Sequence, residues 1–120
     1  MTLKFLGNGS GFSTEHTSAY FVTDMRELVL LDCSMLNVQK LMKMDLTDYT
    51  AINIHITHTH GDHVSGLGLF AQYVYFNLKQ TVTIIAPSEE VEENLIYLLE
   101  EIEGCDSTWY DIYTINEICI

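Results

Sequence analysis

His58-Thr59-His60-Gly61-Asp62-His63 follows directly on the apolar run Ala51-Ile52-Asn53-Ile54-His55-Ile56-Thr57, and this stretch decides how the chain is read. The first part has the alternation of a half-buried strand, with Ile52, Ile54 and Ile56 on one face and Asn53, His55 and Thr57 on the other. The second part places three imidazoles and a carboxylate within six residues. These are the donor types that bind zinc or a similar divalent ion. If the chain is still extended there, His58 and His60 leave the same face and can grip one ion. Gly61 can adopt a backbone conformation closed to other residues and so turn Asp62 and His63 toward a neighbouring ion. A lone histidine on an apolar strand is more often a packed core residue. Four donors in six residues are not explained by packing, and an ionised Asp62 would be costly to bury unpartnered.

Working outward, the spacing predicts strands over residues 2–7 and 19–23. A turn at Asp24-Met25-Arg26-Glu27 leads into a strand at Leu28–Cys33, and a short helix follows over Asn37–Met44. After the motif, residues 65–79 read as a helix with Leu67, Phe70, Val74 and Leu78 at helical spacing. Thr81–Ala86 is a further strand. Ser88 caps a helix over residues 89–103, closed by Gly104. Its core stripe is Val91, Leu95, Leu98, Leu99 and Ile102, and its seven glutamates form a solvated acidic face. Trp109 to Ile120 is an aromatic and β-branched tail that reads as a strand with an exposed edge. Alternation of strands and helices implies an α/β layered domain.

The segment Ala51 to Leu67 resembles the signature of the metallo-β-lactamase superfamily: a strand, then His-x-His-x-Asp-His, then Gly66-Leu67. Leu3-Lys4-Phe5-Leu6-Gly7-Asn8-Gly9-Ser10-Gly11 and Leu30-Leu31-Asp32-Cys33 are similar to the first strand, glycine loop and Asp-Cys element of its ribonuclease Z-like branch. The likeness runs over roughly residues 2–103 in the same order. It implies an α/β fold, the N-terminal half of the four-layer αββα arrangement, with a mixed sheet and flanking helices. It also implies His58 and His60 as ligands of a first metal, and Asp62 and His63 as ligands of a second. Zinc is the expected ion, with manganese or iron as alternatives. Asp62 would be the catalytic residue that positions metal-activated water for attack on a phosphodiester or similar ester. Asp32 would support the site from behind. Ser34 stands where the family usually has glycine, so the resemblance implies the superfamily rather than tRNA processing in particular.

The superfamily draws its remaining metal ligands from its second half, whereas here the histidines are His16, His55, His58, His60 and His63. Asp106 and Asp111 come too early to stand in. The expectation is therefore residues 1–120 as a single, incomplete domain that supplies half of a site. The alternative is a non-catalytic half-domain whose open surface is covered by a homodimer or by another protein. His16 reads as a solvated loop residue and His55 as a hydrogen-bonded interior one. The glycine loop reads as a lining of the site rather than a phosphate cradle, because no Walker lysine follows it.

Composition sets the bounds. The formal net charge is −12, with only five Lys and Arg, so direct attachment to nucleic acid through a basic face is not expected. No apolar run approaches the roughly 20 residues of a membrane span. The start has no signal-peptide pattern, and Cys33, Cys105 and Cys119 form no Cys-x-x-Cys pair. Reduced thiols in a cytoplasm are the expectation, with Cys33 a small core residue.

Overall fold

The computed structural model describes residues 2–118. Cys119 and Ile120, expected as a free thiol and the end of the apolar tail, lie outside them. Six strands run β1 (Lys4–Gly7), β2 (Ser18–Val22), β3 (Glu27–Leu31), β4 (Ala51–His55), β5 (Val82–Ala86) and β6 (Tyr110–Thr114). They form one sheet in that spatial order. The pairs β1–β2 and β2–β3 are antiparallel, whereas β3–β4, β4–β5 and β5–β6 are parallel. The mixed sheet is thus an antiparallel entry followed by crossover units, the pattern expected of an α/β layer.

The register carries the alternation from strand to strand. Leu30 pairs with Ile54, Ile54 with Ile84, and Ile84 with Ile112. Helices α1 (Met35–Leu41), α2 (Gly61–Val64), α3 (Leu67–Asn77) and α4 (Glu89–Ile96) connect the strands. Val38, Leu41, Phe70, Val74 and Leu95 pack into one cluster with Leu28, Leu30, Ile52, Ile54 and Ile84. These helical side chains therefore cover one face of the sheet. Leu31, His55, Ile85 and Tyr113 form the next row, on the other face, and none of them belongs to that cluster. A last turn, α5 (Ile115–Ile118), follows β6.

Several local expectations are corrected. The helix expected over 65–79 is α3, and a separate short helix that was not expected, α2, precedes it, with a break at Ser65–Gly66 between them. A Cβ on Gly66 would come 2.6 Å from the Ser34 carbonyl oxygen, so this break is where the chain passes closest to the start of α1. Ser34 caps α1, its hydroxyl accepting from the Asn37 N–H and amide. Beyond Ile96 the expected single helix is π-wound over Tyr97–Ile102. A π turn changes the angular phase of later residues. Leu95 and Leu99 are buried, but Ile102 is 64 % exposed instead of completing the stripe. The Ser88 hydroxyl caps α4 as expected, accepting from the Val91 N–H, and Gly104 closes the segment at φ +71°. Cys33 is fully buried, and burial, with the charges of Asp32 and Glu103, pushes its thiol well above the usual range. Among the described residues no helix is long and apolar enough to cross a membrane.

Candidate metal centre

The parallel strands β3 and β4 end side by side, and their C-terminal extensions build the site. The Asp32 N–H donates to the His55 carbonyl at 2.8 Å, and the Cys33 N–H donates to the His63 carbonyl at 2.7 Å. The Gly66 N–H returns to the Cys33 carbonyl at 3.0 Å. The motif is thereby stitched to the β3–α1 link along its length. Asp32 is held at φ +67°, a left-handed conformation that a non-glycine residue seldom adopts. Gly61, by contrast, does not supply the left-handed turn expected of it. It starts α2 after an extended His60, and the onset of helix does the turning.

The conformation of Asp32 sets its carboxylate among three donors. It accepts from the Thr57 N–H at 2.8 Å, from the Thr57 hydroxyl at 2.8 Å, and from His63 Nδ1 at 2.6 Å. A carboxylate can only accept, so His63 Nδ1 carries the proton. The other ring nitrogen, Nε2, stands 3.3 Å from an Asp62 carboxylate oxygen. Two acceptors at that distance require a proton or a cation between them. Thr57 Oγ1 lies 3.0 Å from His58 Nδ1. With the hydroxyl proton directed to Asp32, His58 donates through Nδ1, which in the neutral ring leaves Nε2 free for a metal. One buried aspartate thus sets the tautomer of two imidazoles in the form that can bind a metal.

The four predicted ligands are brought onto one surface. The His58 ring centroid is 4.7 Å from that of His60 and 3.9 Å from that of His63. Asp62 and His63 stand on the first turn of α2, while His58 and His60 precede it. Among the described residues, however, no three His, Cys, Asp or Glu side chains converge around a single point. The donor chemistry and the tautomers fit a divalent ion, and the ligand set on this chain is open.

The glycine loop lines this surface as anticipated. A Cβ on Gly11 would stand 3.0 Å from the Asp62 carboxyl group, so the loop backbone is in contact with that side chain. Ser10, Gly11 and Phe12 form, with His60 and Asp62, a cleft of about 480 Å³. The remaining candidates fall elsewhere. His16 is partly buried rather than solvated, with no partner for Nδ1 among the described residues. His55 is half-buried, and among the described residues its ring has no hydrogen-bond partner, against the expectation of a hydrogen-bonded interior residue. Burial pushes its imidazole below the usual range. Asp106 caps the short 3₁₀ turn Ser107–Trp109 before β6, and so lies at the opposite end of the parallel strands. The Thr108 N–H and hydroxyl hold its carboxyl below the usual range. Asp111 is exposed on β6, paired with Thr83. Sequence reading missed the role of Thr57. Its only signal was its position beside His58, on the face of the strand opposite the isoleucines.

Comparison with known proteins bears on the fold and the family. Ribonuclease Z of Methanococcus maripaludis is 34% identical over 96 residues, covering 77% of this chain and 31% of the relative. The crystal structure of human tRNase Z, short form, superposes with a TM-score of 0.68 at 25% identity, covering 95% of this chain and 44% of that one. Zn(2+)-bound PqqB from Methylobacterium extorquens gives a TM-score of 0.70 at 15% identity, covering 96% of this chain and 46% of that one. Other solved neighbours are metallo-β-lactamase fold proteins. The chain spans about a third of the length of the curated relative and less than half of the solved chains. A family model described as Anti-Pycsar protein Apyc1 matches residues 1–106. The chain therefore belongs to the Anti-Pycsar protein Apyc1 family, with a ribonuclease Z-like relationship inside the metallo-β-lactamase superfamily.

Proposed function

We propose that this chain supplies the first half of the active site of a metal-dependent hydrolase acting on a phosphodiester or similar ester. The observation that carries this reading is the 2.6 Å contact of Asp32 with His63 Nδ1, which turns the free Nε2 toward Asp62. His58 and His60 would hold a first ion, and Asp62 and His63 a second. Zinc suits this donor set best, with manganese or iron as alternatives. Ions bound there would polarise the ester and lower the pKa of a water molecule. Asp62 would then orient the attacking water through one carboxylate oxygen and accept its proton. Asp32, through Thr57 and His63, keeps the imidazoles in the required tautomer. No lysine or arginine is among the residues lining the cleft, so attraction for a phosphodiester would come from the ions.

The test is metal analysis of the purified chain beside a His58→Ala/His60→Ala variant, with bis-p-nitrophenyl phosphate hydrolysis in the presence and absence of chelator. Zinc, manganese or iron in the unmutated chain, reduced in the variant, is expected. A metal-free unmutated chain, or hydrolysis indifferent to chelator, overturns the reading.

A second reading has its own support. Phe5 is 65 % exposed and Tyr113 40 % exposed on the sheet face opposite the helix-packed cluster. In this reading the chain is a non-catalytic half-domain that associates with a second copy or a protein partner through that face. A light-scattering mass of one 13.7 kDa chain at high concentration removes self-association.

A further inference from the structure

We infer that Glu103 is a positioning residue for the metal-binding motif: its carboxyl group presses on the first turn of α3 and so holds α2, with Asp62 and His63, against the Asp32–Cys33 link. The inference rests on the proposed function and adds to it a residue far from the motif in sequence. The π-wound turn carries two local costs in placing this side chain. Ile102 is 64 % exposed, and Glu103 Oε2 is buried with no hydrogen-bond partner among the described residues. An isoleucine in water and a carboxylate oxygen out of it are both unfavourable. Turns wound in this way are frequent at functional sites. What Glu103 touches is the start of α3. A Cβ on Gly68 would lie 3.2 Å from Glu103 Cβ and 2.7 Å from its Cδ, and would meet Oε2 head-on. Burial raises the Glu103 carboxyl above its usual range, and the Gly68 N–H draws it part of the way back. From the other side the Cys105 thiol donates to the Gly68 carbonyl at 3.8 Å. Gly104, at φ +71°, turns the chain between the two contacts.

The start of α3 needs such a hold. The N–H groups of a first helical turn have no acceptor within the helix, and the N-cap, Gly66, has no side chain to supply one. A carboxylate there is also favoured by the helix dipole. From Gly66 the connection runs straight to the site. Its N–H donates to the Cys33 carbonyl at 3.0 Å, and the Cys33 N–H donates to the His63 carbonyl at 2.7 Å. The Ser65 hydroxyl accepts from the Met35 N–H at 2.9 Å. Burial, then the charges of Asp32 and Glu103, raise the Cys33 thiol, which places the Glu103 carboxyl close behind this link. A displaced α3 is therefore felt at His63 through two backbone hydrogen bonds, and at its 2.6 Å contact with Asp32.

The experiment is calorimetric titration with zinc of the unmutated chain, Glu103→Ala, Glu103→Gln, Gly68→Ala and Leu98→Ala. The ring-nitrogen shifts of His63 are recorded in the same chains without metal. Leu98→Ala removes a core-packed side chain from the same π turn and so reports loss of stability alone. Glu103→Ala is expected to bind zinc about tenfold more weakly, the lower end of the range for groups that orient metal ligands, and to mix the two His63 tautomers. Glu103→Gln keeps the length and an acceptor oxygen. It and Leu98→Ala should bind zinc as the unmutated chain does, with the His63 proton on Nδ1. Gly68→Ala evicts the carboxyl group while favouring the helix, and should weaken zinc as Glu103→Ala does. It carries the test alone if Glu103→Ala does not fold. Unchanged affinity in Glu103→Ala or, where that variant does not fold, in Gly68→Ala overturns the positioning role and leaves the metal site standing. An equal loss in Leu98→Ala does the same. If the unmutated chain binds no zinc, the metal-site reading fails and the positioning role with it.

Discussion

The two faces of the one sheet are made by alternate residues of the same strands, yet they are different materials. On the helix-covered face Leu28, Leu30, Ile54 and Ile84 are fully buried, and Ile52 is 1 % exposed. On the other face Phe21, Leu31, Asn53, His55 and Thr83 are only half-buried, and Asp111 is exposed. Val29 and Ile85 are buried there, but stand outside the helix-packed cluster. The covered face is aliphatic at its centre, with Tyr20, Tyr110 and Thr114 toward its margins, whereas the open face mixes apolar side chains with an amide, an imidazole, a hydroxyl and a carboxylate. A strand carries both patterns at once because its side chains alternate, so one can be optimised for packing while the other keeps polar groups. Stability should therefore come from one face, and the other should tolerate change.

The largest contrast comes from truncation. Phe70→Ala on the covered side is expected to cost about 3–5 kcal/mol, because the vacated volume cannot refill in a close-packed core. Thr83→Ala or Asn53→Ala on the open face should cost less than about 1 kcal/mol. Urea unfolding of the three variants measures the difference. Comparable losses would mean that the open face is covered in solution, by a second copy or a partner.

Next in size is Gly66→Ala. A Cβ there would meet the Ser34 carbonyl oxygen at 2.6 Å and Val38 Cγ2 at 2.5 Å. Backbone on one side and a fully buried valine on the other leave no room to yield. The loss should be about 1–3 kcal/mol, as for other overpacked sites. A variant as stable as the parent would show that the covered face is looser than its burial implies.

These effects also show what could be read in the sequence. Element order followed from alternation at Ile52, Ile54 and Ile56 and from the helical spacing of Leu67, Phe70 and Val74, because burial imposes both periods on contiguous residues. The candidate ligands were equally visible, since His58, His60, Asp62 and His63 are neighbours in the chain. Features set by contacts between distant segments were not. The left-handed Asp32 is defined by Thr57 and His63, 25 and 31 residues away. The contact of Gly11 with Asp62 joins the first loop to the fourth crossing of the sheet. The π-wound Tyr97–Ile102 has no composition that separates it from an α-helix, so the exposure of Ile102 could not be read in advance.

Asp32 lies where the two faces meet the site, and its removal is the intermediate case. Asp32→Ala deletes the acceptor for Thr57 and His63, and frees His63 to adopt the other tautomer. Metal affinity should fall by about 10–100-fold, the range seen when such supporting carboxylates are lost. Calorimetric titration with zinc measures it. Unchanged affinity would separate the Asp32–His63 contact from metal binding altogether.

The smallest expected effect is electrostatic, and the open face should show it. Burial holds His55 below its ordinary pKa, so the folded chain resists protonation there. The unfolded chain, titrating near 6.5, binds the proton more readily. Stability from this residue is therefore fully present above about pH 6.5 and declines as the pH falls toward the folded value. Glu103 gives the opposite sign. Burial raises its carboxyl, so its charged form is the disfavoured one, and stability declines as the pH rises through its folded value. His55→Gln should flatten the loss of stability between neutral pH and about pH 5, relative to the parent, while Glu103→Gln should not flatten it, because that carboxyl acts with the opposite sign over the range above about pH 4.5. The chain holds four other histidines, so the difference between variant and parent is the measurement, not either curve alone. A His55→Gln curve parallel to the parent would mean that imidazole 55 reaches water freely, and that the open face shelters no charge-sensitive group.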